Sequence, residues 1–161
     1  MHSPKLLIQA VCAVTLLFAA SQSAAQQRPS YGAQITLDTA KKIAAGALAE
    51  ARRNNWNVAV AVLDSHGMLI YYEMMDDTQT ASATIAIEKG RTAATYRRPS
   101  KAFEDGISKG RVAILGLPGV TPIEGGLPLF VGGKIAGGVG VSGVNSDQDA
   151  PIAQAGLDAL K

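Results

Sequence analysis

The run NVAVAVLDSHGMLIYYEMM, residues 57–75, decides the fold. Asn57 to Asp64 (NVAVAVLD) is apolar and rich in valine, which predicts a buried strand. Ser65-His66-Gly67 has the residues of a tight turn, and Met68 to Met75 (MLIYYEMM) predicts a second strand. Two strands joined by so short a turn pair antiparallel, as a hairpin. On the second strand, alternation sends Tyr71, Glu73 and Met75 to one face and Tyr72 and Met74 to the other.

Helices flank this hairpin. From Leu37 to about Asn54, Leu37, Ala40, Ile43, Ala44, Ala47, Leu48 and Ala51 recur at helical spacing, and Lys41, Lys42, Arg52 and Arg53 populate the other side. Thr36 is placed to cap that helix and Asn54-Asn55 to stop it. A second helix opens at Thr80 or Ser82 and runs to about Tyr96, with Pro99 ending it. Its small residues (Ala81, Ala83, Ala86, Ala93, Ala94) suit close packing on a sheet. Ser100 is placed to cap a short helix through Ile107. Leu127–Val131 and Lys134–Ser142 predict two strands around a Gly132-Gly133 turn, and Asp147–Lys161 predicts a closing helix. The order α-β-β-α-(α)-β-β-α alternates hairpins with helices, which predicts an α+β fold with an antiparallel sheet.

The length of 161 residues suits one domain, and 47% hydrophobic against 17% charged residues predicts a packed core. Aromatics are 5% and the net charge is +2, which argues against nucleic acid as a partner. Residues 1–25 read as a secretory signal peptide: Lys5, then the apolar LLIQAVCAVTLLFAA (6–20), then Ser23-Ala24-Ala25 before the cut. The expected product is periplasmic or secreted, with no stable membrane anchor. Cleavage removes Cys12, the only cysteine, and His2, leaving His66 as the only imidazole. Thiol chemistry and a multi-histidine zinc site are thereby excluded. Residues 26–35 are expected to be a flexible lead-in and 36–161 a single domain.

Eleven of the 17 glycines lie between Gly110 and Gly143. They include a G-x-G-x-x-G at Gly138, Gly140 and Gly143. It falls within a predicted strand, not between a strand and a helix, so close helix packing is expected there and not a dinucleotide. Thr84, Glu88, Arg91 and Thr95 share one helical stripe. That stripe is either a solvated face with an internal ion pair or a polar wall facing Glu124-Gly125-Gly126. In the second case backbone N–H groups of the glycine loop hold a carboxylate, with Lys89 or Arg91 as counter-charge. His66 is either an exposed turn residue or a metal ligand. Tyr71, Tyr72, Met74 and Met75 are either core or ligands.

Five stretches, in order and covering nearly all of residues 26–161, together resemble one family. They are VAVLDSHGMLI (60–70), Met-Asp with trailing Thr and Ser near 75–82, EKGRTAATYRRPS (88–100), PIEGGLPLFVGGKIAGGVGVSG (122–143) and DQDAPIAQAGLDAL (147–160). The resemblance is to the GlcG/HbpS-like haem-binding (haem-degrading) proteins, related to the C-terminal domain of PduO. It implies a profilin-like antiparallel sheet flanked by helices and a homo-oligomer. It also implies haem as ligand, with cobalamin or no cofactor as the alternatives. The family pattern commonly has Arg before the Met-Asp; here Met74 stands there, so an anion contact is lost and a thioether gained.

The resemblance makes an exported, oligomeric haem-binding protein, sequestering or sensing haem, the leading expectation. Propionates would lie near Lys89, Arg91 or Arg97, and iron would be held by His66, Tyr72 or Met74. A second expectation is a hydratase, isomerase or lyase acting on a small carboxylated molecule. There Glu124, Gly125 and Gly126 would hold the substrate and Glu88 or Glu124 would act as general base. A third is an interaction module without a ligand.

Overall fold

The computed structural model describes residues 27–161. The expected signal peptide, with His2 and Cys12, lies outside the described residues. The elements are α1 (Leu37–Arg53), β1 (Ala59–Asp64), β2 (Leu69–Met74), α2 (Ser82–Tyr96), α3 (Lys101–Ser108), a 3-10 turn (Val112–Gly116), β3 (Gly126–Val131), β4 (Lys134–Ser142) and α4 (Ser146–Asp158). The order read from the sequence is the order found, with the 3-10 turn added. Among the described residues no helix is long and apolar enough to cross a membrane.

The four strands form one antiparallel sheet in the order β2-β1-β4-β3. Its two faces differ because β1 alternates large and small side chains. Val58, Val60 and Val62 point to one face, where they join Val139 and Val141 of β4 and the apolar stripes of α1 and α4 in the main core. Ala59, Ala61 and Leu63 point to the other face, against Ala86 of α2. On that second face β4 presents Gly138 and Gly140, and α2 lies directly on their backbone. A Cβ on Gly140 would stand 2.0 Å from the Ala86 carbonyl and 2.4 Å from the Gly90 nitrogen. The glycines read from the sequence as packing residues are therefore what lets α2 sit on the sheet.

The ends of the elements depart from the reading in three places. Thr36 caps α1 as expected, accepting from the Thr39 N–H. Ser100 does not cap α3: its hydroxyl donates to the Ile123 carbonyl at 2.6 Å and accepts from the Gly126 N–H at 2.9 Å, tying α3 to the glycine loop. The closing helix begins at Ser146 and ends at Asp158, short of Lys161, and an Asn145–Gln148 capping box starts it. The lead-in is not free at Ser30–Gly32. Gly32 donates to the Ile135 carbonyl, Ile135 donates to that of Ser30, and the Tyr31 hydroxyl donates to the Thr95 carbonyl at 2.6 Å. Here β4 runs past the end of β1, and its exposed backbone is satisfied by the incoming chain.

Candidate functional site

The residues nominated from the sequence do not gather into one site. Lys89 lies on the buried stripe of α2 with Ser82, Ala86 and Ala93, at 1% exposure. Its Nζ donates to Asp149 Oδ2 at 2.7 Å and to the Val141 carbonyl at 3.2 Å. Gly125, at φ +118°, closes over this pair, and a Cβ there would lie 2.9 Å from Nζ. Burial pushes the Asp149 carboxyl above the usual carboxylate range, while the Lys89 ammonium pulls the other way. Lys89 is thus engaged with α4, inside the protein.

The stripe of Glu88, Arg91 and Thr95 faces the β1–β2 turn. Arg91 pairs with Glu88, and its Nε donates to the Gly67 carbonyl at 3.0 Å. Glu124 lies 3.6 Å from Lys101, its N–H donates to Glu104 at 2.7 Å, and the Gly126 N–H is taken by Ser100. The structure therefore does not bring Glu88 and Arg91 to the Glu124-Gly125-Gly126 loop. The donors described for Glu124 and Gly126 are committed within the protein.

His66 stands exposed at the tip of the first hairpin, where Asp64 Oδ1 accepts from the His66 and Met68 N–H groups. Tyr72 and Met74 share the α2 face of β2 as the alternation predicts, and the Tyr72 hydroxyl donates to Met74 Sδ at 3.1 Å. Met74 pairs with Ala59 at the far end of the hairpin from the turn. At about 3.3 Å per residue, His66 and Met74 are separated by roughly 17 Å or more along β2. Burial pushes the Tyr72 phenol up. A polar cleft beside Met74 is rimmed by the carboxylates Glu73, Asp76 and Asp77 against the single cation Arg52, a balance that disfavours an anionic ligand.

A more apolar concavity lies at the other edge of the sheet. A groove of about 590 Å³ is walled by Leu127, Pro128, Leu129 and Phe130 of β3, by Leu157 and Leu160 at the end of α4, and by Gln27–Pro29. That volume is within the range of cofactor sites. Its charged groups are Arg28, Arg97, Arg98 and Lys161 against the single carboxylate Asp158. Lys161 lies 2.6 Å from Asp158. Arg97 adopts the left-handed conformation (φ 56°) that ends α2. That turn sends the chain back along β3 and puts two consecutive arginines at the groove. Arg97 donates to the Pro29 carbonyl at 3.1 Å and stacks 5.2 Å from the Tyr31 ring. Arg98 lies 3.9 Å over the Phe103 ring. Its Nε is buried and has no hydrogen-bond partner among the described residues. Burial, then the charges of Arg28 and Arg111, push its guanidinium below the ordinary range. Sequence reasoning nominated Arg97 and missed Arg98. The signal was the Arg-Arg pair immediately before Pro99-Ser100, where a helix must end and its last side chains leave the helical face.

Comparison with known proteins agrees with this fold. The pattern of the family described as "Haem degrading protein HbpS-like" matches residues 35–158. Protein GlcG of Escherichia coli K12 is 45% identical over 103 residues, which cover 64% of this chain and 77% of GlcG. Among solved structures, a double mutant of Streptomyces reticuli HbpS superposes with a TM-score of 0.75 at 27% identity, covering 88% of this chain and 98% of that one. The PduOC–haem complex superposes at 0.72 and 25% identity, covering 78% and 94%.

Proposed function

This chain belongs to the HbpS-like family, and on that premise we propose that it binds haem in the groove along β3. The observation that carries the reading is the groove itself: an apolar wall from β3 and α4 with a cationic rim, matched to a flat apolar macrocycle bearing two carboxylates. Leu127, Leu129, Phe130 and Leu157 would cover the ring and exclude water from it. Arg97, held by Pro29 and Tyr31, would face a propionate. Bound haem supplies a redox-active iron. His66, Tyr72 and Met74 stand away from this groove, so iron ligation by any of them belongs to a different placement. The rival placement beside Met74 is disfavoured by its three carboxylates, which outnumber the one cation there, Arg52.

Export to the periplasm or beyond, and a role in sequestering or sensing haem, are parts of the same proposal. So is a homo-oligomer, supported by exposed apolar residues in the 112–123 loop, with Val112 at 64% and Leu115 at 67% exposure. The enzyme reading has less support, because Glu88 pairs with Arg91 and Glu124 lies beside Lys101. The test is titration of the mature chain with hemin. A Soret shift that saturates at one hemin per chain is expected, and a shift that never saturates would refute the proposal.

A further inference from the structure

We propose that Arg98, with Arg28, forms a carboxylate-binding subsite in the groove, a position distinct from Arg97. The proposal rests on the groove being the ligand site. Three observations lead to it. Arg97 already has partners in Pro29 and Tyr31, and Lys161 has one in Asp158. Among the charged residues of the groove, Arg98 alone has a buried donor, Nε, without a partner among the described residues. The Nε itself is closed to solvent, so a ligand carboxylate would meet Arg98 from the groove that it lines, where its charge has no carboxylate partner among the described residues.

The second observation is the gathering of like charge. Arg28 lines the same groove as Arg98, and no ion pair of Arg98 is found among the described residues. Two guanidiniums on one groove repel each other, and an anion bound there would relieve that repulsion. The third is rigidity. Arg98 is clamped over Phe103, itself 1% exposed and packed edge-on against Tyr96 at 5.2 Å. Its planar fork is therefore fixed before a ligand arrives, which suits bidentate recognition of a carboxylate. Such a group belongs either to a haem propionate or to a free organic acid.

The experiment compares hemin, hemin dimethyl ester and succinate as probes on the mature wild type, Arg98→Gln and Arg28→Gln. The expected result is that Arg98→Gln weakens hemin about tenfold or more. The dimethyl ester, whose carboxylates are masked, should bind wild type and variant alike. Arg28→Gln, a change on the rim, should weaken hemin in the same sense and carries the test if Arg98→Gln does not fold. If hemin saturates the wild type and neither substitution affects it, the subsite is overturned and the haem reading stands. If hemin does not bind the wild type, the haem reading fails and succinate decides. A rise in melting temperature in the wild type that either substitution abolishes supports a free organic acid; no rise overturns the subsite.

Discussion

Replacing Lys89 by Met removes one half of a fully buried ion pair and leaves Asp149 facing an apolar interior at 1% exposure. Breaking such a pair from one side costs about 3–5 kcal/mol. With a urea slope of about 1.5 kcal/mol/M, the unfolding midpoint at pH 7 should fall by roughly 2–3 M. The loss should depend on pH in a definite direction. Burial already raises the Asp149 carboxyl, and Lys89 is the main group opposing it. Without Lys89 the native carboxyl rises further, while the unfolded carboxyl keeps its ordinary value of 3.8. Between those two values the native state holds a proton that the unfolded state has released, so stability is lost as pH rises through that window. Lys89→Met should therefore be close to wild type near pH 3.5 and weakest at neutral pH. The double variant Lys89→Met/Asp149→Asn, with no charge left to bury, should recover more than half of the loss at pH 7. Urea titrations of the three proteins at both pH values are the assay. A deficit that is the same at both pH values, or a double variant no better than Lys89→Met at pH 7, would refute the account of the pair.

Two shorter predictions test the packing and the turn. Gly140→Ala would drive a methyl group into the Ala86 carbonyl, which neither α2 nor β4 can yield to; loss of soluble, cooperatively melting protein is expected, and a melting temperature within 3 °C of wild type would contradict the packing. His66→Ala, at an exposed turn, should change stability by no more than about 0.5 kcal/mol and leave hemin affinity within twofold; a lost Soret shift would move the ligand to the hairpin tip.

The elements were legible because each obeys a local rule. A valine-rich apolar run marked β1, a helical stripe with a threonine cap marked α1, and glycines inside β4 announced a helix resting on bare backbone. The role of Lys89 was half legible. Its spacing from Ser82, Ala86 and Ala93 puts it on the buried stripe, but a charged residue is ordinarily assigned to the solvent side. Its partner Asp149 is 60 positions away and reads on its own as a first-turn helix acid. The groove was not legible at all. It is made where the end of α2, the strand β3, the end of α4 and the chain before Tyr31 meet, and no pattern within one element encodes that meeting. Arg98 differs from Arg97 only in what the fold leaves beside it.

The central claim is that the groove along β3 is where this protein holds haem, and an NMR titration of the mature chain with diamagnetic gallium protoporphyrin tests it most directly. Saturable shifts should gather at Arg97–Arg98, Leu127–Phe130 and Leu157–Lys161, with Tyr72, Met74 and His66 unmoved. Shifts centred on β2 or the first hairpin turn, with the β3 residues silent, would contradict it.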